Sequence, residues 1–262
     1  MTLNHIGTLA SAFALLTAHG LAQAGQISFN EKTCQSGSSA SAASATCVTN
    51  VSGTRQQATL TAWTAPTSGN FASASIGYYP SYGLGIHARG ESIYTSEHAV
   101  DNARGTDAFL INFGASNFAL NQISIGWLGG DADVSILRYT GTEALSSLAS
   151  SKVANLDMAA GWDWVGDYST LSTNGTLNFN TGDDAKTGAW WLVSAYHSAY
   201  STVPVSGVFG DGNDYFKLNG LGGALVAITP PPSNDVPEPG TFALFGIALL
   251  GFAATRRKFQ AK

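Results

Sequence analysis

The chain has 262 residues, a formal net charge of −5 at pH 7, 30 glycines and only 11% charged residues. Between residues 25 and 235 there are eight basic and sixteen acidic side chains. This balance argues against a nucleic acid or an anionic membrane surface as a partner, and the low charge is not typical of a cytosolic enzyme. The length allows one large β domain with a substantial core.

The first 24 residues have the features of a signal peptide. An apolar run ends in Ala22-Gln23-Ala24, the small-x-small pattern that signal peptidase cleaves. The region before the run has no Lys or Arg and only His5, so a buried N-terminal helix is the alternative. We predict a signal peptide over residues 1–24 and export through the inner membrane.

The two cysteines, Cys34 and Cys47, flank the low-complexity loop QSGSSASAASAT. In an exported chain they allow one pairing, and closing a loop of this size stabilises by roughly 3 kcal/mol in the chain-entropy model. We therefore predict a disulfide. Reduced thiols are the alternative, since two such ligands are too few for a metal site.

From about residue 57, short apolar segments recur roughly every 8–15 residues, with Gly, Pro and Asn between them. This spacing predicts about ten strands in an all-β, jelly-roll-like antiparallel β-sandwich over residues 25–229. The pattern predicts a β-hairpin formed by FALNQISIGWLG and ADVSILRY, with Gly129-Gly130-Asp131 near its tip. In such a hairpin we expect Asp131 and Asp133 to be exposed to solvent.

One segment of the domain, TEALSSLASSKVANL, has helical rather than strand periodicity. Leu145, Leu148 and Val153 are spaced for one helix face. We therefore predict one short helix there.

The segment HAVDNARGTDAF offers hard oxygen ligands around a loop that contains a glycine. Asp101, Asn102 and Asp107 supply carboxylate and amide oxygens, which Ca²⁺ accepts in flexible geometry. Jelly-roll carbohydrate-binding modules often hold a structural Ca²⁺ in such a loop. The alternative is ordinary turn chemistry, in which Asp and Asn bond their own backbone.

A search for catalytic residues favours a protein that is not an enzyme. The sequence has no Gly-x-Ser-x-Gly elbow and no His-Glu-x-x-His motif. Glu91 with Glu97, or Asp163 with Asp167, would serve a glycosidase only if the two carboxyl groups lay about 5–10 Å apart across a cleft. Solvated or turn carboxylates are the interpretation that we favour for both pairs.

The six tryptophans suggest a sugar-stacking surface or a large aromatic core. GWDWVGDY and YYPSYG could present rings to sugars, although sheets also bury aromatic residues heavily. Trp190 and Trp191 must point to opposite faces of a strand, so both are buried only if both faces are covered.

The C-terminal region reads as a linker and a membrane segment. Residues 230–235 are Pro-rich, and Thr241–Thr255 is an uncharged run that just suffices for a transmembrane helix when its flanks are included. Arg256-Arg257-Lys258 follows directly, which predicts a membrane stop with the C-terminus in the cytoplasm and the domain outside.

The last 27 residues, 236–262, contain Val236-Pro237-Glu238-Pro239, then the apolar run, then the basic end. In this order they resemble the PEP-CTERM sorting signal. Tails of this kind are substrates of exosortases in Gram-negative bacteria that make exopolysaccharide. The resemblance implies recognition in the inner membrane, cleavage near Pro237-Glu238-Pro239, and a mature form at the cell surface or outside the cell. Three segments of the domain are similar to sequence segments in a group of exosortase-dependent surface proteins. They are EHAVDNARGTDAFLINF, ALNQISIGWLGGDADVSILRYTG and GNDYFKL.

The expected function is that of a non-enzymatic cell-surface or extracellular-matrix protein associated with exopolysaccharide. Its processing partners would be signal peptidase and an exosortase. The precursor would be anchored in the inner membrane only transiently. The alternatives are a carbohydrate-binding module with structural calcium and a secreted glycan hydrolase. No cofactor besides the candidate calcium is expected, and no nucleic acid partner.

Overall fold

The computed structural model describes residues 26–36, 42–66, 69–91, 98–130, 132–142, 145, 147–169, 171–201, 209–210 and 212–227. The chain divides into two compact units, Met1–Ala227 and Ile228–Lys262. Every described residue belongs to the first unit. The predicted signal peptide, linker and sorting tail lie outside the described residues.

Strands dominate the described part of the chain, and the all-β prediction is confirmed. One antiparallel sheet of fourteen strands curls into a half-barrel. The strands are β1 Ile27–Asn30, β2 Cys34–Ser36, β3 Ser44–Val51, β4 Thr54–Ala65, β5 Ala72–Tyr79, β6 Gly83–His87, β7 Val100–Asp101, β8 Thr106–Asn112, β9 Phe118–Gly130, β10 Val134–Tyr139, β11 Trp162–Tyr168, β12 Gly175–Asn178, β13 Trp190–Ala195 and β14 Asp214–Leu225. Short 3₁₀ helices span Glu31–Thr33, Val153–Asn155, Met158–Ala160 and Ser198–Tyr200.

The sheet has two halves that β5 joins. The order is β11-β10-β13-β8-β4-β5-β6-β14-β9-β12, with β3 beside β4, β2 beside β3, and β1 and β7 beside β14. The first residues of β5 pair with β4 and its later residues pair with β6. We call β2, β3, β4, β8, β10, β11 and β13 the β8 half, and β1, β6, β7, β9, β12 and β14 the β14 half.

The predicted hairpin between Phe118–Gly130 and Val134–Tyr139 is wrong. β9 pairs with β12 and β14, whereas β10 pairs with β11 and β13. Alternating apolar residues fit any antiparallel neighbour, so the pattern cannot choose the partner. The chain therefore crosses between the halves after Gly130, and Asp133, expected in solvent, is fully buried at this crossing.

The main core takes side chains from both halves of the sheet. It includes Phe29, Leu60, Ile76, Ile86, Phe109, Ile111, Leu120, Ile123, Ile136, Trp191, Val193 and Phe216. Cys47 belongs to it and forms the predicted disulfide with Cys34, its partner across the β2–β3 ladder. The disulfide thus fastens the short β2 to β3.

A second cluster covers the opposite face of the β8 half. It contains Trp63, Ala65, Phe71, Ala108, Leu110, Leu137, Leu148, Val153, Leu156, Trp162, Leu192 and Tyr200. Trp191 therefore enters the main core while Trp190, on the other face, packs against the second cluster. The two tryptophans therefore lie on opposite faces of this strand, as strand alternation predicts.

The predicted helix over TEALSSLASSKVANL is wrong within the described residues. Only Val153–Asn155 forms a 3₁₀ turn. The backbone N–H of Phe71 donates to the carbonyl of Ser151 at 2.8 Å, and Ala149 and Lys152 form isolated bridges to residues 70–71. These backbone groups are therefore used against the sheet rather than within a helix, and the serines of the segment have little helical preference.

Leu148 should be important for stability because it is fully buried under the β8 half. We expect Leu148→Ala to lower the free energy of unfolding by about 2–5 kcal/mol, the usual range for a buried leucine. Urea unfolding would measure it. The control is Met158→Ala in the nearby Met158–Ala160 turn, where Met158 is 68% exposed; this change should alter stability by less than about 0.5 kcal/mol. Equal effects of the two substitutions would contradict the described packing.

Candidate functional site

Three carboxylates meet where the two halves of the sheet come together. Asp101 lies in β7 and Asp107 in β8, and each is 1% exposed. Glu91 lies in the turn after β6, where its Oε2 accepts a hydrogen bond from the backbone N–H of Ala88 at 2.7 Å. One oxygen of each carboxylate lies within 4.8 Å of the others. We call Glu91, Asp101 and Asp107 the acidic cluster.

The acidic cluster places like charges in a buried site. Burial raises the pKa of Asp107 well above its usual range, and the charges of Asp101 and Glu91 raise it further. Hydrogen bonding from the Thr64 side chain and the Asp101 backbone offsets only part of this rise. Burial and neighbouring negative charge therefore both disfavour the ionised form of Asp107.

The side chain of Asn102 is occupied by other groups. Its Nδ2 donates to the carbonyl of Tyr196 at 2.9 Å and to Oδ2 of Asp214, and its Oδ1 accepts from the backbone N–H of Asp214 at 3.0 Å. Oδ1 of Asp214 in turn accepts from the backbone N–H of Asp133 at 2.7 Å. Asn102 therefore secures the start of β14 to the loop after β7.

Of the predicted calcium ligands, the structure brings Asp101 and Asp107 together and adds Glu91. Calcium at Asp101, Asn102 and Asp107 stays a prediction. Glu91 was missed as a ligand because it comes from a turn ten residues before Asp101, and only the pairing of the strands brings it near. A further buried aspartate, Asp133, was missed with the wrong hairpin.

Asp163 and Asp167, considered as a glycosidase pair, do not face one another. Asp163 accepts a hydrogen bond from Nε of Arg138 at 2.7 Å, and Asp167 accepts one from Oγ of Ser135 at 2.7 Å. A register shift in the β10–β11 ladder leaves Val165 unpaired, which turns the two aspartates to opposite faces of β11. Glu97, the other proposed pair member, lies outside the described residues.

A buried lysine lies between two aromatic rings in the β14 half. The ammonium group of Lys217 is 4.0 Å from the ring centroid of Trp127 and 4.8 Å from that of Tyr79. Cation–π attraction of this kind favours the ammonium form. Burial outweighs it here and lowers the pKa of Lys217 to about 8, with 3% of the residue exposed.

Two histidines complete this lysine site. Tyr79 and His87 share a hydrogen bond between the phenol oxygen and Nε2, and the ring of His98 lies 4.7 Å from that of Tyr79. Burial raises the pKa of Tyr79 to about 12, whereas burial and the charge of Lys217 lower the pKa of His87. Gly85 lets the backbone of His98 lie on the sheet, since a Cβ there would come within 2.0 Å of its carbonyl oxygen.

A cavity of about 440 Å³ opens where β10 ends and β13 begins. The described residues that line it carry two aromatic rings, three Ser or Thr hydroxyls and no charge. They are Ser116, Tyr139, Thr140, Gly141, Thr187, Gly188, Ala189 and Trp190. We call this the Tyr139–Trp190 cavity.

The wall of the Tyr139–Trp190 cavity is held by hydrogen bonds from outside it. Nη1 of Arg138 donates to the carbonyl of Thr187 at 2.8 Å. The backbone N–H of Gly188 donates to the carbonyl of Phe118 at 3.0 Å. The carbonyl of Gly188 accepts from the indole N–H of Trp191 at 2.9 Å. The segment that forms the wall is therefore fixed on both sides.

Comparison with known proteins identifies the C-terminal tail. A family model described as the PEP-CTERM protein-sorting motif matches residues 235–258. The chain carries a PEP-CTERM sorting motif. No curated protein and no solved structure matches the chain. The PEP-CTERM match includes Val236-Pro237-Glu238-Pro239 and Arg256-Arg257-Lys258, all outside the described residues.

The PEP-CTERM motif supports an exported protein whose membrane-anchored precursor is sorted by an exosortase. Among the described residues, none forms a helix long and apolar enough to cross a membrane. The predicted transmembrane run, Thr241–Thr255, lies outside them. Its role as a membrane anchor and the stop at Arg256-Arg257-Lys258 stay predictions.

The pH dependence of stability should report the buried Lys217. Its pKa falls from 10.5 to about 8 on folding, so between these values the unfolded chain binds more protons and stability rises with pH. Lys217→Met should remove this rise, which we expect to be about 1 kcal/mol between pH 7 and 9.5 after allowance for solvent screening.

Urea unfolding from pH 7 to 9.5 would test this, below the range in which tyrosines ionise. The control is Lys152→Met, because the Lys152 side chain is exposed. Its pH profile should follow that of the wild type. Parallel profiles for the wild type and Lys217→Met would show that Lys217 keeps an ordinary pKa in the folded protein.

Proposed function

We propose that this protein is a non-enzymatic component of the cell surface or extracellular matrix that binds exopolysaccharide at the Tyr139–Trp190 cavity. The PEP-CTERM motif supports the export and sorting that such a role requires. The uncharged, aromatic lining of the cavity is the observation that supports contact with a glycan.

The lining suits a neutral sugar better than an acidic one. Tyr and Trp rings offer flat apolar faces to the C–H groups of a sugar ring, and nearby hydroxyls exchange hydrogen bonds with its own. Trp190 is half-buried, so part of its ring remains accessible. The domain's excess of acidic residues disfavours a polyanion.

The hydrogen bonds that hold the wall favour binding without rearrangement. Arg138, which supports Thr187, is itself fixed by Asp163, and Asp163 also accepts from Nζ of Lys186 at 3.1 Å. Gly188 is fixed by two further hydrogen bonds. A site that is ordered before binding loses less conformational freedom when the ligand arrives.

The carboxylates of β11 support a role without catalysis. Although burial alone raises the pKa of Asp163, hydrogen bonds from Arg138 and Lys186 lower it overall, so this carboxylate is poorly suited as a general acid. Burial raises the pKa of Asp167, but this residue points to the other face of the strand. A glycosidase needs both carboxyl groups on one cleft.

Processing of the tail is the first test of this proposal. In a host with an exosortase, the protein recovered from the cell surface should have an intact mass that ends near Pro237. Replacing Pro237-Glu238-Pro239 with alanines should abolish surface recovery and leave an uncleaved precursor in the inner membrane. Ser233→Ala, in the linker, is the control and should be processed normally. A surface form with the full tail would refute cleavage.

Glycan binding is the second test. Trp190→Ala should weaken binding to the exopolysaccharide of the host about tenfold or more, because the stacking ring is lost. Affinity electrophoresis or calorimetry would measure it, with melting curves to confirm folding. Thr187→Val should weaken binding less, because it removes one hydroxyl and keeps the shape of the wall.

Tyr82→Ala is the matched control for the loss of an aromatic ring. Tyr82 is 52% exposed and does not line the cavity, so its replacement should leave binding unchanged. Equal binding by Trp190→Ala and the wild type would contradict the site. Release of reducing ends from the glycan would contradict the non-enzymatic role and favour a hydrolase.

A further inference from the structure

We propose that Glu91, Asp101 and Asp107, the acidic cluster, bind one Ca²⁺ ion. This site differs from the predicted one because Glu91 replaces Asn102, whose side chain is used by Tyr196 and Asp214. It does not depend on glycan binding.

The ligand set has the chemistry and spacing of a calcium site. Ca²⁺ takes six to eight oxygen ligands at roughly 2.3–2.6 Å, so two oxygens on opposite sides of the ion are about 4.6–5.2 Å apart. The three carboxylates offer oxygens within 4.8 Å of one another, so all three can reach one ion. Mg²⁺ requires a tighter octahedron at about 2.1 Å, and Zn²⁺ prefers nitrogen and sulfur ligands.

The buried Oδ2 atom of Asp107 is a second, independent observation that supports a bound cation. This residue is 1% exposed, yet its Oδ2 receives no hydrogen bond from any described residue. Buried polar atoms are almost always paired, and an unpaired one costs free energy. A bound cation would supply the missing partner of Asp107 Oδ2.

The position of the cluster indicates what the ion would do. Asp101 pairs with Tyr215 in the β14 half, whereas Asp107 pairs with Thr64 in the β8 half. Glu91 comes from a turn outside both strands. One ion bound by all three would fasten this turn to the two halves of the sheet, which makes its main effect an increase in stability.

The export of the protein sets the affinity that such a site needs. Calcium sites of extracellular modules bind with dissociation constants of about 0.1–1 mM. An ion that binds only the folded state stabilises it. Well above the dissociation constant, the melting temperature rises with the logarithm of the ratio of ion concentration to dissociation constant. At 10 mM Ca²⁺ we expect an increase of about 3–10 °C for a chain of this size.

The experiment uses the full chain, purified in detergent and stripped with EDTA. Calorimetric titration with Ca²⁺ should give one site per chain, and melting curves should show the expected increase. Mg²⁺ at the same concentration should give less than about 2 °C. No heat and no shift with Ca²⁺ would overturn the proposal, and an equal shift with Mg²⁺ would overturn the assignment to calcium.

Two variants locate the ion. Asp107→Asn and Glu91→Gln should each abolish the calcium-dependent shift, and Asp107→Asn in EDTA should melt no lower than the stripped wild type, because the amide removes a repelled charge. Glu91 is half-buried in a turn, so Glu91→Gln should fold normally. This variant therefore tests the site even if Asp107→Asn impairs folding. Asp184→Asn, at an exposed site, should keep the full shift. A normal shift in both cluster variants would overturn the site.

Discussion

In the β8 half, side chains on both faces of the strands are buried, and the surrounding structure must supply a cover for each face. Ile136 and Val193 point into the main core, whereas Leu137 and Leu192 point into the second cluster. A strand buried on both faces is apolar at successive positions. The chain covers the outer face with residues 147–160, which lie over the sheet without forming a long helix and attach to it through the backbone of Phe71.

This double burial also determines which polar groups are excluded from water. Ser194 lies inside the β8 half, where its hydroxyl donates to the carbonyl of Asp107 at 2.9 Å. Asp107 is excluded from water because β8 is covered on both sides, and this burial raises the pKa of its carboxyl group. At the other end of the same strands the cover is incomplete, which leaves Trp190 half-buried beside a cavity. Both candidate sites are therefore consequences of how this half is covered.

The sequence predicted what depends on local or contiguous patterns. Alternation and turn residues identified an all-β chain, and the adjacent Trp190 and Trp191 were expected on opposite faces of one strand, where the structure places them. The hairpin failed because alternation does not select a partner strand, and the helix failed because Leu148 and Val153 are spaced equally well for a segment whose backbone bonds to the sheet. In the acidic cluster, Asp101 and Asp107 were accessible to sequence reasoning, but Glu91 was not, since only tertiary structure brings its turn to β7 and β8. The sorting motif could be recognised from the sequence because it is a contiguous segment, whereas its membrane run and basic stop stay predictions.

The arrangement of β8 separates the two proposed sites. Asp107 lies near the start of this strand, opposite Thr64, whereas Trp190 pairs with Asn112 at its end. Five residues of extended chain span about 17 Å, so an ion bound at Asp107 cannot coordinate a sugar that stacks on Trp190. Calcium would therefore act on the fold and not as a bridge to the glycan. Because the wall of the cavity is fixed by its own hydrogen bonds to Arg138 and Phe118, loss of the ion should lower the melting temperature well before it changes glycan affinity in the folded protein.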